Sequence, residues 1–156
     1  MKGKAEVLEV LGKMLKEELG AVSQYVLHSE ICESWGYARL HAQIKKNAID
    51  EMKHAEKLIE RMLFLEGAPN MIDLPRLTIG KDVKQQLEND LGLERSAVAG
   101  YNAAIAVCQK GDDHGSAQLL RAILLDEEGH VDWWEAQLEL IAQMGLPTYL
   151  SQQIHG

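Results

Sequence analysis

The sequence predicts an all-α chain: a four-helix bundle of two antiparallel helix pairs, joined by a long crossover and followed by a short C-terminal helix. Three observations carry that expectation. Apolar residues recur at spacings of three and four along four long segments, and strand-like alternation is absent. Proline stands only at Pro69, Pro75 and Pro147, which leaves the long segments free of the residue that breaks helices. The second half also repeats the first at a fixed offset: Glu94 − Glu18, Tyr101 − Tyr25, Glu127 − Glu51 and His130 − His54 each give 76 residues. Such a repeat points to two helix hairpins related by a pseudo-twofold axis. At 156 residues the simplest organisation is one domain over 1–156, long enough for a sizeable core.

Each helix shows one buried line. The first runs Val7, Leu11, Met14, Glu18, Val22, Tyr25, Ser29, Cys32, and the second runs Ile44, Ala48, Glu51, Ala55, Leu58, Met62, Leu65. The third runs Leu87, Leu91, Glu94, Val98, Tyr101, Ile105, Cys108, and the fourth Leu120, Leu124, Glu127, Val131, Trp134, Leu138, Ile141. The links "SWGYA" at 34–38 and "KGDDHGS" at 110–116 are short, so each joins antiparallel neighbours. "GAPNMIDLPRLTIG" at 67–80 carries two prolines, is too long for a hairpin link and reads as the crossover. After "MGLP" at 144–147 a short amphipathic tail remains, with Leu146, Tyr149, Leu150 and Ile154.

Composition narrows the function. Hydrophobic residues make up 46% and charged residues 26%, which fits a globular chain and not a disordered one. A formal net charge of −8 argues against nucleic acid or an anionic membrane as partner and suits cations better. The N-terminus mixes charge with leucine and reads as no signal peptide, and no run is long and apolar enough to span a bilayer. Cys32 and Cys108 form no CxxC pair and read as small buried hydrophobes in a reducing cytoplasm.

One anomaly is common to all four lines: a glutamate interrupts each. Glutamate is almost never fully buried unless paired, and four carboxylates close together also repel. Lysine and arginine are missing from those lines, so the compensating charge has to come from elsewhere. Two divalent ions supply four positive charges against four carboxylates, and His54 and His130 add two neutral nitrogen ligands. Glu51 and His54, at i and i+3, point about 60° apart and converge on one site, as do Glu127 and His130. The repeat assigns roles. Glu51 and Glu127 bridge both metals, Glu18 with His54 completes one, and Glu94 with His130 completes the other. Carboxylate and imidazole without thiolate favour iron or manganese, with zinc and cobalt as substitutes.

With those residues in hand, the chain resembles the bacterioferritins, the haem-containing branch of the ferritin superfamily. The likeness covers essentially the whole length, through "KEELGAVSQY", "AIDEMKHAEKLIERMLFLEG", "DLGLERS", "LLDEEGHVDWWE" and "MGLPTYLSQQI". It implies a ferroxidase centre of two irons in each of twenty-four like subunits, assembled from twofold dimers into a cage. There Fe(II) is oxidised by dioxygen or hydrogen peroxide and stored as ferric mineral, and a ferredoxin-type reductant can serve its release. Tyr25 lies seven residues beyond Glu18 on the same face, and in the family the matching tyrosine neighbours the centre. The resemblance gives it a hydrogen bond or an electron to contribute, while the residue alone reads equally as a satisfied core tyrosine.

Met52 follows Glu51 and points about 100° away from the metal line, where Ile49, Ile59 and Leu63 complete a second apolar stripe. A bundle helix needs only one buried face, so this stripe predicts a subunit interface. By resemblance, Met52 from each of two subunits ligates haem b there; from spacing alone it reads as interface packing. One departure stands out. Several family members carry a histidine four residues before Asp50, and this chain has Lys46, which puts an inner-surface iron site in doubt.

The remaining residues say less. Gly129 costs about 1 kcal/mol against alanine inside a helix, and close packing near the metals is the expected reason. His28, His41, His114 and His155 lie off the metal lines and are expected on the solvated surface. Trp35 is expected at a loop or interface, and of Trp133 and Trp134 only Trp134 sits on a core line. Two other readings compete with the storage ferroxidase. One is a non-cage di-iron oxidase or peroxidase on the same bundle, the other a structural protein whose carboxylates bind metal adventitiously.

Overall fold

The computed structural model describes residues 1–155 and has five helices. These are α1 (Ala5–Ser34), α2 (Ala38–Phe64), α3 (Val83–Lys110), α4 (His114–Met144) and α5 (Leu146–Ser151). Within each hairpin the helices pack along their length, α1 on α2 and α3 on α4, and the hairpins meet through α1 against α3 and α2 against α4. Among the described residues there is no strand, and no helix is long and apolar enough to cross a membrane.

Local chemistry sets the boundaries. Asp82 caps α3 by accepting the Gln85 backbone N–H at 2.8 Å, and Asp113 caps α4 by accepting that of Ser116 at 2.9 Å. Arg61 near the end of α2 donates to Asp113 at 2.9 Å, which ties the two hairpins together at that end. Gly145, at φ 83°, turns the chain from α4 into α5, a left-handed conformation that a side chain would strain. The short helix is then held by Tyr149, which is buried and donates to Gln137 at 2.9 Å.

The core is in two parts. One apolar cluster gathers Val7, Leu11, Met14, Leu58, Met62, Ile105 and Leu120 with their neighbours. The other gathers Cys32, Leu40, Ile44, Leu87, Leu91, Trp134 and Ile141. Each draws on all four long helices, and between them lie residues 18, 51–54, 94 and 127–130. The bundle therefore carries a polar layer across its middle, where the four predicted lines each hold a glutamate. Both cysteines are free and buried, and burial pushes their thiols up to about 12 for Cys32 and about 11 for Cys108. Both are accordingly inert hydrophobes.

Because α2 ends in the first cluster and α3 begins in the second, the link over 65–82 runs the length of the bundle. It lies close enough to α1 that a Cβ on Gly20 would come within 2.4 Å of Pro75 Cγ. Its backbone is pinned by α1 side chains: Gln24 accepts the Thr78 N–H at 2.9 Å and His28 Nε2 accepts the Gly80 N–H at 3.0 Å. This corrects the expectation for His28, which is fully buried and not solvated. Since Nε2 accepts, the ring proton sits on Nδ1, which donates to the Asp90 carboxylate at 2.8 Å. His114 and His155 are exposed and His41 is half-buried.

The second stripe on α2 is open in the single chain: Ile49, Met52 and Leu63 are exposed, while Ile59 is half-buried against the first cluster. Trp35 is exposed beside the α1–α2 turn, Trp134 is buried and Trp133 half-buried against it.

Candidate metal centre

All six predicted side chains meet in the polar layer. Glu18, Glu51, His54, Glu94 and Glu127 are each at most 2% exposed, and the His130 side chain is 12% exposed. His54 Nδ1 lies 2.7 Å from Glu127 Oε1, 3.1 Å from Glu51 Oε2 and 3.6 Å from Glu18 Oε1. His130 Nδ1 lies 2.8 Å from Glu51 Oε1, 3.4 Å from Glu94 Oε1 and 3.8 Å from Glu127 Oε2. Glu51 and Glu127 thus turn one oxygen to each imidazole, whereas Glu18 faces only His54 and Glu94 only His130. The ligand atoms form two overlapping sets, Glu18, Glu51, His54, Glu127 and Glu51, Glu94, Glu127, His130, each spanning no more than 4.8 Å. The imidazole centroids are 6.2 Å apart.

The donors fit metal better than they fit one another. Glu18 Oε2, Glu94 Oε2 and Glu127 Oε2 are buried without a hydrogen bond, and Glu127 Oε1 meets only His54 Nδ1. A buried unsatisfied carboxylate oxygen is costly, and three in one buried layer call for cations. Protons supply part of that charge in the metal-free protein. Burial pushes the Glu94 carboxyl up to about 7, and burial together with the Glu18 and Glu94 carboxylates raises Glu51. Burial works against charge on His54 and His130, yet the carboxylates around them outweigh it and hold both rings protonated. Glu127 also resists burial, and its neighbours Glu94, His130 and His54 keep it ionised.

A divalent ion has to displace those protons, since raised folded-state pKa values mean that protons compete at neutral pH and below. Metal binding is therefore expected to release protons and to weaken as pH falls through about 7, where Glu94 protonates. Calorimetric titration in two buffers of different ionisation enthalpy measures the release; identical heats in both would contradict the ligand set.

A second ring of residues holds the first. His54 Nε2 donates to Asp126 at 3.0 Å and His130 Nε2 to Asp50 at 3.4 Å, which fixes the rings with Nδ1 toward the site. Tyr25 donates to Glu94 at 2.7 Å and Tyr101 donates to Glu18. Burial first, then the nearby carboxylates, raise both phenols, so both remain donors. In the sequence Tyr101 stands only as the repeat of Tyr25, with no site role, and Asp126 is not singled out, although Asp126 − Asp50 is again 76.

Beside the imidazoles, Lys46, Asp50, Lys53, Lys57, Asp126 and Gly129 line a groove to the outside of the chain. Lys46 is paired with Asp50 at 3.1 Å. The expected close packing at Gly129 does not occur: a Cβ there would meet nothing within 4 Å, and the residue is exposed on the groove.

The ferritin-like domain family model matches residues 8–144. The bacterioferritin of Brucella melitensis is 46% identical over 149 residues, covering 96% of this chain and 92% of the relative.

The chain belongs to the bacterioferritin family.

The bacterial ferritin of a Synechocystis species is 43% identical over 155 residues, 99% of each chain, and the bacterioferritin of Mycobacterium tuberculosis is 39% identical over 152, 97% of this chain and 96% of its own. The family model thus covers the four long helices, and the bacterioferritin relatives align over nearly the whole chain.

Proposed function

We propose that the chain is an iron-storage ferroxidase: it oxidises Fe(II) at an intrasubunit site for two irons and deposits ferric mineral inside a twenty-four-subunit cage. The observation that carries this is the buried layer of four carboxylates and two imidazoles with three orphaned oxygens. In this reading Glu51 and Glu127 bridge, Glu18 with His54 and Glu94 with His130 hold one iron each, and Fe(II) is the substrate. Two Fe(II) ions side by side supply the two electrons that, with two protons from solvent, reduce dioxygen to hydrogen peroxide, or hydrogen peroxide to two waters. The residues do the rest. Carboxylates favour the higher charge of Fe(III), the imidazoles accept Fe(II) after losing their protons, and the apolar clusters on both sides keep bulk water out. The groove lined by Lys46, Asp50 and Asp126 beside His54 and His130 is the route for iron between centre and cavity.

A cytoplasmic location is the expectation for two free, buried thiols; the cage and its mineral rest on the bacterioferritin relatives and on the α2 stripe, whose apolar residues lack cover in one chain. Light scattering of iron-loaded protein tests them: a cage-sized particle with ferric iron held in solution supports storage, while a small oligomer that precipitates excess iron leaves a di-iron oxidase or peroxidase. A ferredoxin-type reductant is the partner expected for release.

Haem b belongs at the same stripe. Met52 is 45% exposed with Ile49 and Leu63 beside it, so its thioether can meet a haem shared with a second copy. Replacing Met52 with leucine keeps the apolar stripe and removes the sulfur. The variant is expected to assemble and oxidise Fe(II) normally but to lose the haem Soret band; an unchanged haem titration would leave Met52 as packing.

A further inference from the structure

We propose that Tyr101 is a positioning residue for Glu18, as Tyr25 is for Glu94, so that each half of the chain orients the terminal carboxylate of the other half. The inference rests on the two-metal reading and deepens it. Tyr101 is on α3 and donates to Glu18 Oε1 on α1; Tyr25 is on α1 and donates to Glu94 Oε1 on α3. The oxygens left over, Glu18 Oε2 and Glu94 Oε2, are the ones buried without a partner. Each phenol thus occupies one oxygen and leaves its twin free for a cation. With one oxygen fixed, the carboxylate can neither swing away nor turn both oxygens onto one ion. Tyr101 is fully buried, so its hydroxyl is out of reach of bulk solvent.

The exchange between halves extends to the imidazoles. Asp126 of the second half holds His54 of the first, and Asp50 of the first holds His130 of the second. Tyr101 − Tyr25 and Asp126 − Asp50 both equal 76, as the ligands themselves do. One ion, at Glu18 and His54, is therefore supported by Tyr101 and Asp126; the other, at Glu94 and His130, by Tyr25 and Asp50. Neither hairpin supports its own ligands, so the two sites form together when the hairpins dock.

Cobalt(II), followed by its visible absorption, reports both sites without iron turnover. Wild-type protein is expected to take up two ions per chain, one for each ligand set. Tyr101→Phe keeps the ring and removes only the hydroxyl; it is expected to bind one ion as wild type and the other about 10- to 100-fold more weakly. Tyr25→Phe should weaken the other site, and the double variant both. In a Glu18→Gln background, Tyr101→Phe should change nothing further while Tyr25→Phe still weakens the remaining site, which a general packing defect would not reproduce. Two wild-type affinities in Tyr101→Phe, or equal loss at both sites, would overturn the proposal. Failure of the wild type itself to bind cobalt would overturn the two-metal reading beneath it. Helical circular dichroism of each variant shows that the bundle has formed before titration.

Discussion

Replacing Glu51 with glutamine is expected to slow the fast phase of Fe(II) oxidation by at least about 100-fold, the upper end of what outer partners of a metal ligand cost. Glu51 turns one oxygen to each imidazole, 3.1 Å from His54 and 2.8 Å from His130, so its loss removes a ligand from both ions at once. Glu127→Gln should match it, because Glu127 faces the same two rings. Folding is expected to survive. Glutamine removes a carboxylate whose charge burial and its neighbours disfavour, but it turns an amide NH2 toward one imidazole, so the metal-free thermal midpoint should change little. Stopped-flow oxidation and calorimetry on the same sample separate the two effects. A variant that oxidises iron at the wild-type rate would remove Glu51 from the centre and favour adventitious metal.

Loading the metal-free protein with cobalt(II) at about 100 times its dissociation constant is expected to stabilise it by about 2.7 kcal/mol per site. Two sites give about 5 kcal/mol, and at 2–4 °C per kcal/mol for a chain of this size the midpoint rises by roughly 10–20 °C. The sign of the shift follows from the layer, and its size from the loading. Three buried carboxylate oxygens lack partners and gain them when a cation enters. Differential scanning calorimetry with and without cobalt checks this; an unchanged or lower midpoint would mean that the layer is satisfied by its protons alone.

Much of the arrangement was legible because glutamate in an apolar line has few innocent explanations. The line through Ile44, Glu51, Ala55 and Met62 is buried throughout. Elsewhere the lines were too narrow. Leu15 and Ile123 are fully buried off them, while Val22, Val98 and Leu138 on them are half-buried, since a bundle helix buries a band and not a row. His28 was misplaced because what buries it is remote: Asp90 is 62 residues away and Gly80 is 52, and no periodicity reports a crossover laid over a helix. Tyr101 and Asp126 did leave a signal in the 76-residue offset. The offset gives equivalence, however, and not partners. That each serves the opposite half depends on how the hairpins dock. Gly129 misled for a related reason: helix interior suggested packing, but its face opens on the groove.

The most direct test is an aerobic Fe(II) titration of iron-free protein, with ferric absorbance followed in time. The account predicts a fast phase that saturates at two irons per chain, one for each overlapping ligand set, with further iron oxidised more slowly and kept in solution. No fast phase, or one that saturates at a single iron, would contradict it.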